Sequence, residues 1–416
     1  MRRISIPEEA IKRHKETLGA NLLSFLKRLA NGDRVSWIVR KKEEKHRDKI
    51  LGVLQNKRCV AYWKWVDSQF NGYDILIAEP ARLVMFARES VNKFQALGKR
   101  EKKAVLEVTR RLFSYNSFRE GKVLLAAKKE CAYKIQWFCP EVKKDCVSKK
   151  KKTKKVNEHE KEFRSWSGWG IAEFVRLLDV RYCPYCNAET VGTAHLPSSE
   201  YVPDIDHILP KGVYPLLSLS LYNLVPTCNR CNSRFKKEAD MLEGWDGRGS
   251  LPDLHPYVHN IYKHIRFDYK PTSVSKMYLK PYSKAPLTVA ASQRSGAEQI
   301  RSEKHIGRYH LGEIYNDLYS NEINEFLWGV SICSPDFVDS MSKLCRVGKS
   351  EFERMICHTS LNPHDINHYR FAKLIGDLHA AICFDTSDEN KERIMRKLKG
   401  RFRGQQNRGC IAPRDK

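Results

Sequence analysis

Apolar residues recur at helical spacing near the start of the chain. Ile11, Leu18, Leu22, Leu26 and Leu29, with Lys12, Lys15 and Lys27 between them, predict an amphipathic helix. From Asp33 to Cys59 the chain is polar and charge-rich and shows no readable period. Tyr62, Trp63, Trp65 and Val66 then cluster with Phe70 and Tyr73. Clustering favours a packed core for them, and a base-stacking platform is the other reading. Pro80 suits the first turn of a helix through Leu83, Met85 and Phe86, and another helix is expected over Lys102 to Phe113. Residues 1–145 therefore read as a mainly helical region of no legible role. The run KKDCVSKKKKTKK at 143–155 is dense in like charge. It repels itself and predicts a solvated linker or loop at 146–160, which also suits contact with phosphates without sequence preference.

From Glu160 the pattern tightens. Trp166, Trp169, Ile171, Phe174, Val175 and Leu178 predict a helix leading into CPYC. DIDHILP reads as a short strand in which Ile205 and Ile208 alternate against Asp206, and a helix is expected from Asn229 to Asp240. After residue 250 comes a loop-rich stretch with Pro252, Pro256, Pro271, Pro281 and Pro286. Helical faces return with Ile314, Tyr315, Leu318, Ile323 and Phe326, and again with Phe371, Leu374, Ile375, Leu378 and Ile382. The tail from Lys391 is basic and predicts a helix that frays into a disordered end. The expected class is α+β: a small module at 161–250 between helical regions at 1–145 and 251–416.

Composition changes this picture in one respect. The 416 residues carry 75 Lys and Arg against 49 Asp and Glu, a net charge of +26, which favours polyanionic partners. No apolar run approaches the roughly eighteen residues of a membrane span, so no membrane partner is expected. The opening MRRISIPEEAIKRHKE lacks the apolar core of a signal peptide, and a reducing cytoplasm is the expected home. Of thirteen cysteines, nine are scattered and read as small core or surface residues.

The other four form two CxxC pairs, Cys183 with Cys186 and Cys228 with Cys231. Each pair lets two sulfurs converge on one ion from a tight turn, so together they predict a closed tetrahedral Zn²⁺ site. A redox pair is the competing reading of such a motif. Binding would staple both ends of a core-poor segment and contribute to its folding. Four sulfur ligands leave no open position, so this ion is expected to be structural.

Between the pairs lie Asp204, Asp206, His207 and Asn223, and Asn232 follows directly after Cys231. A strand, a loop and a helix start can bring Asp206, His207 and Asn232 onto one face. Asp-His, then Asn, then Asn within CNRCNSRFKK resembles the HNH endonuclease family, the ββα-metal fold, many members of which carry both CxxC pairs. The likeness covers about residues 180 to 240. It implies that His207 is the general base and that Asp206 and Asn232 ligate one Mg²⁺ or Mn²⁺. It also implies that Asn223 pins the loop that orients His207, and that Arg234, Lys236 and Lys237 hold flanking phosphates. Blander readings stand beside these: a satisfied core histidine for 207, a helix cap for Asn232, and a solvated face for Lys236 and Lys237. Asp204 reads equally as a group behind the metal ligands or as a turn residue. His195, His255 and His259 have no motif support, with His255 the one to watch near the cleft. Where many family members carry a Gly-rich segment, this chain reads KGVYPLLSLSLYN with only Gly212.

A weaker likeness runs through W…CPYC…DH…PK…NL…C…CN to YHLGEIYNDLYSNEINEFL. It is similar to HNH proteins of bacterial anti-phage systems, such as the Septu nuclease subunit, and implies a partner ATPase or regulatory protein. The expectation is a metal-dependent endonuclease acting on phosphodiester bonds, with double-stranded DNA the first choice of substrate and a role in defence or restriction. An HNH ribonuclease, for example one cutting tRNA, fits the same residues. A zinc-stapled nucleic-acid-binding subunit with dormant chemistry is the alternative from another class.

Overall fold

The structure, a computed structural model, describes residues 2–33, 50–71, 74–124, 164–166, 168–196, 200–240, 251–269, 287–293, 295–332 and 335–384. The expected basic linker at 146–160 and the basic tail from Lys391 lie outside these residues.

The N-terminal region is helical, as its periodicity predicts. Helices α1 (Glu8–His14) and α2 (Ala20–Ala30) are joined by a π-helical turn, Lys15–Gly19, so the apolar stripe of the sequence runs almost unbroken from 8 to 30. Phe25, Leu26 and Leu29 bury against α3 (Lys57–Phe70). The aromatic cluster on α3 is core: Trp63 is fully buried, and Trp65 stacks on Phe86 of α4 (Pro80–Gln95), whose Pro80 stands in its first turn. Asn56 caps α3 by accepting the Arg58 amide and donates to Glu101, which in turn caps the start of α5 (Lys99–Leu112). A short α6 (Tyr115–Arg119) leads to β1 (Lys122–Leu124), which pairs antiparallel with β2 (Arg164–Trp166).

Next comes α7 (Ile171–Leu178), entered through Gly170. A Cβ at Gly170 would lie 2.6 Å from the Phe118 carbonyl oxygen and 2.8 Å from the Gly121 Cα, so only glycine lets these backbones meet. A small hairpin, β3 (Ala194–His195) with β4 (Glu200–Tyr201), precedes the central hairpin. There β5 (Asp204–His207) pairs with β6 (Leu224–Thr227), placing Asp204 opposite Thr227 and His207 opposite Leu224. The expected helix after Cys228 is shorter than its sequence suggests and is π-helical, Arg230–Lys236.

The C-terminal region holds a hairpin that the proline-rich sequence did not announce, β7 (Ile265–Tyr269) with β8 (Leu287–Ala291). Then follow α8 (Gly296–Arg308), α9 (Ser320–Ile332), α10 (Pro335–Cys345), α11 (Lys349–Cys357) and α12 (Ala372–Phe384). The Phe267 amide donates to Asp377 on α12, which seats that hairpin on the last helix. One hydrophobic core runs without a break from Ile4 to Leu378, through all three regions. Among the described residues no helix is long and apolar enough to cross a membrane.

Candidate metal centre and the residues around it

Both CxxC turns are buried and face each other. The four sulfurs of Cys183, Cys186, Cys228 and Cys231 all lie within 4.8 Å of one another, and Cys186 Sγ is 3.9 Å from Cys228 Sγ. A zinc tetrahedron with bonds of about 2.3 Å has sulfur–sulfur edges of about 3.8 Å, whereas a disulfide needs about 2.05 Å. The quartet therefore has the dimensions for one soft cation and not for paired disulfides. Burial pushes the Cys183 thiol up, but hydrogen bonds from the other three thiols outweigh it and hold Cys183 well below its ordinary range. Those same bonds, with burial, push Cys186 and Cys231 up. The quartet thus favours a thiolate on Cys183.

The first knuckle is clamped from outside by residues far along the chain. Asn187 adopts φ 57°, a left-handed conformation that asparagine tolerates better than most residues. Its amide donates to the Ile366 and Tyr369 carbonyls at 2.8 and 3.2 Å, and its side-chain oxygen accepts the Lys373 amide. The Arg181 and Tyr182 amides donate to the Asn367 carbonyl, and Arg370 Nε donates to Ala188. Asn187 was missed by the sequence reading, although an Asn directly after CPYC is a usable sign of a left-handed turn.

The Asp-His pair sits on β5, but its two side chains part company. Alternation along a strand sends successive residues to opposite faces. Asp206 points toward the Arg230–Lys236 helix, where it is 1% exposed. Lys236 Nζ donates to Asp206 Oδ1 at 2.9 Å and to the His207 carbonyl at 2.9 Å, and Tyr185 Oη donates to Asp206 Oδ2 at 2.6 Å. Tyr185 in turn stacks on Tyr309, centroids 4.5 Å apart. Burial, with Asp206 second, pushes the Tyr185 hydroxyl well above its ordinary range, so it stays a donor.

His207 points the other way. Its Nε2 faces the Ser218 carbonyl at 3.2 Å, and Tyr115 of α6 covers its ring edge-on at 4.7 Å between centroids. Lys211 Nζ lies 4.7 Å above that tyrosine ring. Burial, then the charge of Lys211, pushes the His207 pKa down to about 3, so the imidazole is neutral near pH 7. The loop that carries Ser218 is pinned by Asn223: its Oδ1 accepts the Leu209 amide at 2.7 Å, and its Nδ2 donates to the Leu209 and Leu217 carbonyls. Ser218 Oγ also donates to the Phe113 carbonyl, tying the loop to the end of α5.

Two expectations are corrected by this geometry. Asp206, His207 and Asn232 do not share one face, because strand alternation separates 206 from 207. Asn232 is half-buried and its side-chain amide has no hydrogen-bond partner among the described residues. Lys236 is not a phosphate ligand at the surface: it is 2% exposed and spent on Asp206, since the π-helical turn carries it inward. Arg234 and Lys237 are exposed as expected, and neither contacts Asp206. His255 is buried behind the pinned loop, in a small cavity of about 10 Å³ that also touches Ile208 and Asn223, so it does not face a cleft. His195 is exposed beside Glu200, and the His255 amide donates to His259.

Asp204 is the acid that does reach open space. Asn229 Nδ2 donates to its Oδ2 at 2.8 Å, and Ser233 Oγ lies 3.4 Å from the same oxygen. It lines an open cleft of about 810 Å³ between the second knuckle, the β3–β4 hairpin and Arg119 of α6.

The quartet fits zinc in distance and donor type. The Asp206–Asn232 pair does not fit a divalent catalytic cation, because both oxygens of the buried Asp206 are taken by Lys236 and Tyr185. The chain matches no protein-family model, no curated protein and no solved structure.

Proposed function

We propose that this chain is an HNH-type endonuclease that hydrolyses phosphodiester bonds, with a structural zinc in the cysteine quartet and His207 as its general base. One observation carries the reading: an Asp-His strand is stapled beside a buried four-cysteine knuckle, and its histidine is held by a loop that Asn223 pins. In the bond to Ser218 the proton sits on Nε2, which leaves the Nδ1 lone pair to take a proton from water. The water oxygen then adds to phosphorus, the P–O3′ bond breaks, and the leaving oxygen takes a proton from bulk water while His207 later returns its own to solvent. Lys211 supplies positive charge close to the imidazole. Entry of an anionic phosphate would raise the low pKa of His207 and make it a better base. No step is assigned to a divalent cation on Asp206. The net charge of +26 supports nucleic acid as the substrate class, and DNA is the first candidate within it.

A second reading has one specific observation in its favour. The buried Lys236–Asp206 pair removes the carboxylate that the family resemblance assigns to metal, as in a binding subunit whose chemistry is dormant. Purified protein incubated with supercoiled plasmid, single-stranded DNA and total RNA, each with Mg²⁺, Mn²⁺ or EDTA, separates the two. The nuclease reading expects cutting that drops by at least about 100-fold in His207→Ala, and the EDTA arm shows whether a cation bound elsewhere takes part. Equal cutting by that variant sinks the assignment of the base, and no cutting by the natural chain favours the dormant subunit.

A further inference from the structure

We propose that the cleft beside the second knuckle binds single-stranded nucleic acid, with Arg119 and Arg234 holding phosphates and Tyr201 stacking a base. This deepens the nuclease reading by naming a substrate class, and it rests on that reading only for why the strand is bound.

The cleft of about 810 Å³ has two walls from distant parts of the chain: Arg119 on α6, and Arg234 on the helix that follows Cys231. Charge inside it is unevenly spent. Glu189 pairs with Arg230 at 3.1 Å and accepts from Tyr319, and Glu200 pairs with Arg176. Asp204 accepts from the neutral Asn229 and Ser233 and faces the cleft. Arg119 and Arg234 are both exposed, and neither has a carboxylate partner among the described residues. Two guanidinium groups lining one cleft match a backbone that carries one anionic phosphate per nucleotide.

Two further features suit a single strand. Tyr201 is 55% exposed on the hairpin at the cleft rim, where a lone aromatic ring costs water contact and an unstacked base would cover it. Thr227, directly opposite Asp204 in the register, is fully buried, and its Oγ1 has no partner. It lines the cleft from beneath the surface. A duplex presents its bases to one another; only a single strand offers ring faces to Tyr201.

Fluorescence anisotropy with a labelled 20-nucleotide oligo-dT, and with a blunt hairpin duplex of equal length, in EDTA and over a salt series, tests this without reading catalysis. Arg119→Ala and Arg234→Ala should each weaken single-strand binding about fivefold to tenfold near 50 mM salt and flatten the log–log salt slope by about 0.7. Tyr201→Ala should weaken it about tenfold with the slope unchanged, because stacking releases no counterions. Asp204→Asn should tighten binding, an effect that general damage to the fold does not produce. Arg100→Ala, at the far end of α5, removes the same charge elsewhere and should change little. The proposal is overturned if Arg119→Ala and Arg234→Ala behave like Arg100→Ala, if the duplex binds tighter than the single strand, or if the natural chain binds neither probe. Binding with the expected pattern but no cutting under any divalent condition leaves the cleft standing and removes the nuclease reading. Cutting that depends on His207, without loss of binding in the arginine variants, does the reverse.

Discussion

Asp206 and Lys236 decide how this molecule's interior is read. The two charges are buried together, and Asp206 also accepts from Tyr185. Such a pair adds little net stability, yet removing one member strands the other in a dry environment. Lys236→Met should therefore lower unfolding free energy by about 3–5 kcal/mol, and the Asp206→Asn, Lys236→Met double variant should recover part of that loss. Urea midpoints measure both. An additive double variant would mean that the two groups do not act as a pair. The cysteine quartet was legible from sequence because ligand spacing within each CxxC is local chemistry. The fate of Asp206 was not, because it depends on a π-helical turn that shifts which side chain of FKK faces inward. Tyr115 was equally hidden: it lies 92 residues before His207, and no local pattern links them.

Among elements, the strand and helix boundaries that follow from periodicity or proline were readable, as with the helix that Pro80 opens and the Asp204–His207 strand. The β7–β8 hairpin was not, because its strands are short and separated by a long polar, proline-containing stretch. The junction of α6 and α7 makes a sharper claim. Gly170→Ala places a methyl carbon against immovable backbone at Phe118 and Gly121. That should cost about 2–4 kcal/mol, a drop of roughly 2–5 °C in melting temperature. Gly192→Ala, where an added Cβ meets nothing, serves as the control and should melt like the natural chain. Equal melting of both variants would show that the α6–α7 contact is looser than described.

At the scale of the whole molecule, buried neutral histidines couple the fold to acid. His14 accepts the Trp169 indole proton on Nδ1 and faces the Leu219 carbonyl with Nε2, which fixes its neutral tautomer and joins α1 to the pinned loop. Burial pushes His14 and His305 down to about 4 and His255 to about 3. The unfolded chain binds protons at these sites near pH 6.5, so it holds more protons than the folded chain between about 6.5 and 4. Their stabilisation is complete above pH 6.5 and is lost as the pH falls, at about 3 kcal/mol for a shift of this size. Three such groups rival the whole stability of an ordinary domain, about 5–15 kcal/mol. Melting temperature should fall steeply between pH 6.5 and 5, and a flat profile there would contradict the buried, neutral state of these rings.

Arg2 and Asn367 exchange hydrogen bonds in both directions, and the neighbouring Ile366 and Tyr369 carbonyls hold Asn187 over the first knuckle. At ribosomal speeds of about 5–20 residues per second, the amino end waits on the order of 20–70 seconds for its partner to be made. For about the second half of that interval Cys183 and Cys186 are synthesised but unlatched. The two cysteines of the first knuckle therefore exist before the segment that latches them, and their clamp closes only after residue 373 is made.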